Sequence, residues 1–269
     1  MDIATIFGIT IAIASLVGGF VMDGGKIGGL YQPTALIIVF GGTIGATLTS
    51  VSLKDFFALG KYIKVSMFGK AKDPLVLIEM LVTLSAYARR EGLLALEERV
   101  ENLNDDFVKT NLRLVIDGIE EAMVQGIMEI EISNIESRHK RQASFFDMAG
   151  GFAPTMGIIG TVMGLIHVLG SLSDVLTLGP KIATAFTATL YGVASANVLW
   201  HPLANKLKHR NYSEGLYYEI AAEGILSIQA GESPNALRDK LISFLSRTDR
   251  SRLDKMGQRG QDQLEAQAQ

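Results

Sequence analysis

Few residues in this chain could do chemistry where they stand, and most of those are hydroxyls. The stretch ATAFTATLYGVASANVLW, Ala183 to Trp200, carries no charge, yet Thr184, Thr187, Tyr191 and Ser195 recur in it at 3-4-4 spacing, which is one face of a helix. Beside them Ala185, Thr189, Gly192 and Ala196 fall at 4-3-4 spacing, a stripe of small residues that lets another helix backbone approach. Singly, each hydroxyl reads as a bond back to its own helix carbonyl. As a whole face adjoining a close-packing stripe, they read as a wet or partner-facing surface.

Ionisable groups are scarce in the same regions. Uncharged runs at Ile3–Met22, Ile27–Leu53, Met148–Ser173 and Ile182–Asn205 contain no Asp, Glu, Lys or Arg, which leaves His167 and His201. His201, beside Pro202, reads as an interfacial residue and His167 as a hydrogen-bonded structural one. An ion path normally needs an ionisable group inside the membrane, so if ions cross here the essential carboxylate comes from another chain. Pro154 and Pro202 each remove a backbone hydrogen bond and can bend or hinge their helices. A second concentration of chemistry is the run YARREGLLALEERVE, with Arg89, Arg90, Glu91, Glu97, Glu98, Arg99 and Glu101 around two apolar turns. Such a run is ordinarily a solvated helix face.

Other chemistries are disfavoured. With no cysteine there is no disulfide framework, thiolate or Cys-based metal site. No P-loop, phosphate-cradling glycine motif or metal-ligand spacing is present, so an enzyme, a cofactor or a bound metal is not expected. A net charge of −3 speaks against nucleic acid.

The elements that must position these residues follow from the charge distribution. Each uncharged run reaches the roughly 20 residues that cross a hydrocarbon core, giving four spanning helices. The first lacks a basic leader and a cleavage site and is expected to stay in the protein. Basic residues flank one side: Lys54, Lys61, Lys64, Lys70 and Lys72 after the second span, Arg138, Lys140 and Arg141 before the third, and Lys206, Lys208 and Arg210 after the fourth. The other connections carry only Lys26 and Lys181. By the positive-inside rule both termini and the long middle segment are cytoplasmic. The fold class is therefore all-α membrane protein, with a transmembrane hairpin at 1–53, a helical cytoplasmic insertion at 54–147, a second hairpin at 148–205 and a cytoplasmic tail at 206–269.

Local signals place helices in the soluble parts. Asp73 caps and Pro74 opens a helix that Gly92 ends. A second helix starts near Ile119, with Ile119, Met123, Ile127 and Ile130 as its apolar face, and runs unbroken toward the third span. In the tail, YYEIAAEGILSIQAG and SPNALRDKLISFL read as two helices, the latter capped by Ser233 before Pro234, and GQRGQDQLEAQAQ reads as disordered.

Taken together, ARREGLLALEE, FAPTMGIIGTVMGLIHVLG, AFTATLYG with HPLANKLK, and AEGILSIQAGESPNALRDKL resemble the MotA/PomA/MotP family of flagellar motor stator subunits, from the first span to about residue 245. The resemblance implies a homopentamer in the bacterial inner membrane around a MotB-type single-span partner whose aspartate binds the ion, with the insertion acting on FliG of the rotor. It places Pro154, Thr155, Thr161, Thr189, Tyr191 and Pro202 along the ion path or facing the partner, and Arg89, Arg90, Glu97 and Glu98 at the rotor. Sodium-type relatives tend to show two consecutive threonines before the aromatic-glycine pair. Ala188–Thr189 is the proton-like pattern, whereas Thr161 points to sodium; the expected cation is H+ ahead of Na+. An ExbB/TolQ-type energiser shares the last two spans but lacks the hairpin of residues 1–53, and a non-conducting scaffold is the remaining alternative.

Overall fold

The structure, a computed structural model, describes residues 3–68, 72–170 and 175–253. The expected disorder of the last residues, the Ser173 end of the third span and the Lys70 flank lie outside them. Every described element is helical, and the residues form two compact units: 1–70 with 138–210, and 71–137 with 211–269.

The first unit contains the segments long and apolar enough to cross a membrane. Helix α1 (Ile3–Met22) buries none of its residues, being apolar all round as a lipid-embedded helix is. The second span is assembled from α2 (Pro33–Leu36), a π-helical turn at Ile37–Gly41 and α3 (Gly42–Ser50). It stops at Ser50, short of the expected Leu53. Val51 is extended, and Ser52 accepts from the Asp55 amide at 3.2 Å to start α4 (Leu53–Phe57), which α5 (Leu59–Phe68) follows. A serine cap hidden inside an uncharged run ended the span early. Tyr62, Phe145, Phe146, Leu203 and Leu207 form a core cluster with Phe56 and Trp200 packed on it, and Lys208 pairs with Asp147 at 2.6 Å.

In the second unit, α6 (Pro74–Glu91) begins as the sequence predicts: Asp73 accepts from the Leu75 amide at 2.9 Å, Pro74 takes the first position, and Gly92 ends the helix at φ +90°. A 3-10 turn (Leu93–Leu96), α7 (Glu97–Glu101) and α8 (Asp106–Ile116) follow. Then α9 runs from Glu121 to Leu169, 49 residues without a break, so the expected long charged-then-apolar rod is present. Its buried face differs from the expected one. Val124 and Met128 enter the core, whereas Met123, Ile127 and Ile130 are exposed. Two apolar stripes lie side by side on this stretch, and spacing alone does not say which one the unit covers.

Helix α10 (Val175–Ser195) passes through a π-helical turn at Ala196–Trp200 into α11 (His201–Gln229). The fourth span and the first tail helix, expected as separate elements, are therefore continuous, no proline lying between 203 and 229 to interrupt them. Helix α12 (Pro234–Ile242) is capped by Ser233, which accepts from the Ala236 amide. The core of this unit joins α6 (Leu77, Ile78, Leu81), α8 (Val108, Leu112), α11 (Ile220, Ile225) and α12 (Leu237, Leu241), all at most 1% exposed. Between α8 and α11 a polar latch closes it. Lys72 Nζ lies 2.8 Å from Asp105 Oδ2 and over the Tyr217 and Tyr218 rings, and the Tyr217 hydroxyl donates to the same carboxylate at 2.9 Å.

Candidate functional site

The membrane site is built where α9 and α10 touch backbone to backbone. Gly157 and Gly192 meet there, and a Cβ on Gly157 would stand 2.9 Å from the Ala188 carbonyl oxygen and 3.1 Å from the Thr189 Cα. Backbone cannot yield as a side-chain tip can, so this crossing demands glycine. The close approach puts carbonyls of each helix within reach of hydroxyls on the other. Thr161 Oγ1 lies 3.1 Å from Gly157 O on its own helix and 3.0 Å from Ala185 O across the interface. It also hydrogen-bonds Thr189 Oγ1, which itself stands 3.4 Å from Gly157 O. Each hydroxyl has one proton to give, so two donors serve a cluster of four oxygens. Thr161 is 9% exposed, and no charged side chain belongs to the cluster.

The other described hydroxyls of α10 are spent on backbone. Thr184 donates to Pro180 O at 3.0 Å, Thr187 to Ala183 O at 3.0 Å and Ser195 to Gly192 O at 3.1 Å. For these three the local reading of a helix hydroxyl holds. The Tyr191 hydroxyl reaches farther: it donates to Leu30 O and accepts from the Gln32 amide at 3.1 Å, strapping the turn that opens the second span. Thr155 is exposed, and its hydroxyl donates to Phe152 O at 2.7 Å. Thr189, which the pattern assigned to the small-residue stripe, is instead the hydroxyl that joins the helices.

Pro154 lies inside α9 without ending it, and Pro202 lies one residue into α11, just past the π-helical turn. Each removes a regular i to i−4 donor, from Gly150 O and Val198 O respectively. The His201 ring packs on Gly150, where a Cβ would come within 2.5–2.9 Å of three ring atoms. Spacing marked the Ala185, Thr189, Gly192 and Ala196 stripe as a close-approach surface, but it could not show that the approach presents the Gly157 and Ala185 carbonyls.

The charged cluster sits on the α6–α7 turn. Arg89 and Arg90 end α6, Glu97 and Glu98 open α7, and all four are exposed, with no ion pair to any of them among the described residues. Beneath them Ala88, Leu96 and Val100 are buried, which fixes the turn while leaving its charges outward. Arg99 is drawn aside, its guanidinium 3.9 Å from the Tyr87 ring centroid.

Comparison with known proteins accords with this geometry. Residues 6–92 match the motility protein A N-terminal family and residues 99–220 the MotA/TolQ/ExbB proton channel family. Motility protein A of Bacillus subtilis is 36% identical over 260 residues, covering 96% of both chains. Chemotaxis protein PomA of Vibrio alginolyticus is 33% identical over 246 residues, covering 91% of this chain and 96% of that one. Among solved structures, C. jejuni MotAB matches at a TM-score of 0.88 with 32% identity, over 92% of this chain and 97% of that one. The MotAB stator complex of Bacillus subtilis matches at 0.86 with 36% identity, over 92% and 98%. With four apolar spans, a glycine-tight helix pair and this match along nearly its whole length, the chain belongs to the motility protein A family of flagellar stator subunits, multi-pass proteins of the inner membrane.

Proposed function

We propose that five copies of this chain surround a MotB-type single-span partner and couple inward cation flow to rotation of the flagellar rotor through FliG. Both termini and residues 54–147 face the cytoplasm. The observation that carries this is the oxygen cluster of Thr161, Thr189, Gly157 O and Ala185 O, which lies within spans that hold no acidic residue. Neutral oxygens can replace part of a cation's hydration shell but cannot balance its charge. A partner carboxylate brought against the cluster supplies that charge. The exposed charges at Arg89, Arg90, Glu97 and Glu98 suit a weak, repeatable rotor contact, since exposed pairs are each worth roughly 0–1 kcal/mol.

The coupling ion follows from which groups are needed. A proton requires only the partner's carboxylate, as the Ala188–Thr189 pattern suggests. Hydroxyl and carbonyl oxygens gathered in one place are also the ligands of a hard cation, so the Thr161–Thr189 pair keeps sodium as the second reading behind H+. In a strain without other stators, expressing this chain with its partner, swimming speed is expected to be indifferent to external sodium at fixed pH and abolished by a protonophore. A speed that rises with sodium would make sodium the coupling ion.

A further inference from the structure

A cavity of about 420 Å³ opens between α2, α9 and α10, walled by Thr34, Ile38, Met163, His167, Lys181 and Thr184. That volume is within the roughly 300–1,000 Å³ of small-molecule sites. Its walls are chiefly apolar, and it shares Ala185, whose carbonyl faces Thr161, with the oxygen cluster. Lys181 stands at this cavity half-buried and, among the described residues, makes no hydrogen bond or ion pair. A lysine beside hydrocarbon without a counter-charge is costly. The spans offer no anion, and Thr184 has already given its proton to Pro180 O. A cation would be repelled, and a neutral solute would leave the ammonium unmatched.

We propose that this cavity holds one anionic glycerophospholipid, its phosphate on the Lys181 ammonium and an acyl chain against Ile38 and Met163. The two halves of such a ligand meet the two characters of the site, a single positive charge and apolar walls. Bound there, the lipid braces α10 from behind the residues that carry the Thr161 contact. The inference rests on the membrane embedding and is independent of which ion is coupled.

The test uses the assembled stator complex in detergent, titrated with phosphatidylglycerol or phosphatidylcholine and read by native mass spectrometry. Wild type is expected to retain phosphatidylglycerol preferentially. Lys181→Gln should weaken that retention about tenfold or more, as loss of a charged hydrogen bond worth about 1.5–3 kcal/mol implies, while Lys181→Arg keeps it. Met163→Trp, which fills the cavity and leaves the charge, should also expel the lipid. Intact oligomer mass in the same spectra separates these effects from failed assembly, and the Arg and Trp variants decide if Lys181→Gln does not assemble. Equal retention of both lipids, or unchanged retention in Lys181→Gln and Met163→Trp, overturns the proposal. So does displacement by millimolar inorganic phosphate, which would mean a free-anion site, or crosslinking of a photoreactive residue at Met163 to a second copy, which would mean that a protein face fills the cavity.

Discussion

At the scale of single residues, the hydroxyls of this chain divide by what they touch. Thr187 bonds a carbonyl of its own helix, 3.0 Å away, and Thr189 bonds Thr161 on another. Replacing Thr187 with Val removes a local bond, whereas replacing Thr189 takes an oxygen from the cluster and leaves Thr161 only its two carbonyl partners. Thr189→Val is therefore expected to abolish or strongly reduce spreading in soft agar, and Thr187→Val to leave it near wild type. Equal, mild effects would reduce the Thr189 hydroxyl to a packing detail. The latch at Lys72 carries a pH signature. Burial raises the Asp105 carboxyl, but hydrogen bonds from Lys72, the Val108 amide and Tyr217 outweigh it and hold it below the usual range. Burial lowers the Lys72 ammonium, and its bonds to Asp105 and Tyr218 raise it above the usual range. A depressed acid contributes stability above its unfolded pKa of about 3.9 and loses it as pH falls through the folded value. A raised lysine contributes below about 10.4 and loses it as pH rises through the folded value. Asp105→Asn should thus lower protease resistance of residues 72–137 at pH 7, by about 1–3 kcal/mol, and the difference from wild type should shrink below about pH 4. A constant difference across that range would show that the carboxylate's charge is not what matters.

At the scale of elements, two contacts set what the helices can do. The α9–α10 crossing has backbone where a Cβ would go. Gly157→Val must part the helices, at a cost of about 1–3 kcal/mol or more, and separate the Thr161–Thr189 pair in doing so. It should impair motility at normal protein levels, whereas Gly45→Ala, with nothing within 4 Å of the added Cβ, should not. The α6–α7 turn makes the opposite demand, charges held outward on a fixed base. Arg89→Glu and Glu97→Lys should each weaken torque while the ring still assembles, with partial rescue by a charge reversal on the rotor partner. Normal swimming by both would place the torque surface elsewhere in the insertion.

The caps of α6 and α12 were readable because Asp73–Pro74 and Ser233–Pro234 satisfy orphan amides with residues adjacent in sequence. The spans were readable because a bilayer imposes length and excludes charge. The end of the second span, the buried face of α9 and the fusion of α10 with α11 were not, since each depends on what packs alongside. The candidate site was half legible. Glycines and threonines at small-residue spacing announced a close crossing, yet the carbonyls that complete the cluster belong to every residue type and leave no mark in a sequence.

At the scale of the whole molecule, the division of labour is visible in what the spans lack. No Asp or Glu lies in them, so purified chain in liposomes, without a partner, should pass cations barely above background. Robust flux would mean the pathway is complete within this chain. The two units also interleave along the polypeptide: residues 71–137 are closed by 211–253, which supply Tyr217, Ile220, Ile225, Leu237 and Leu241 to their core. This has a consequence for biosynthesis. The N-terminal part of that core leaves the ribosome first and must wait, its leucines uncovered, while the 73 residues from Arg138 to Arg210 are made and inserted, roughly 4–15 s at about 5–20 residues per second. Nascent chains arrested at Arg210 should therefore expose 72–137 to protease and to chaperones, and release of the remaining residues should protect them. This second unit is then the last part of the protein to fold, completed only after the membrane has received all four spans.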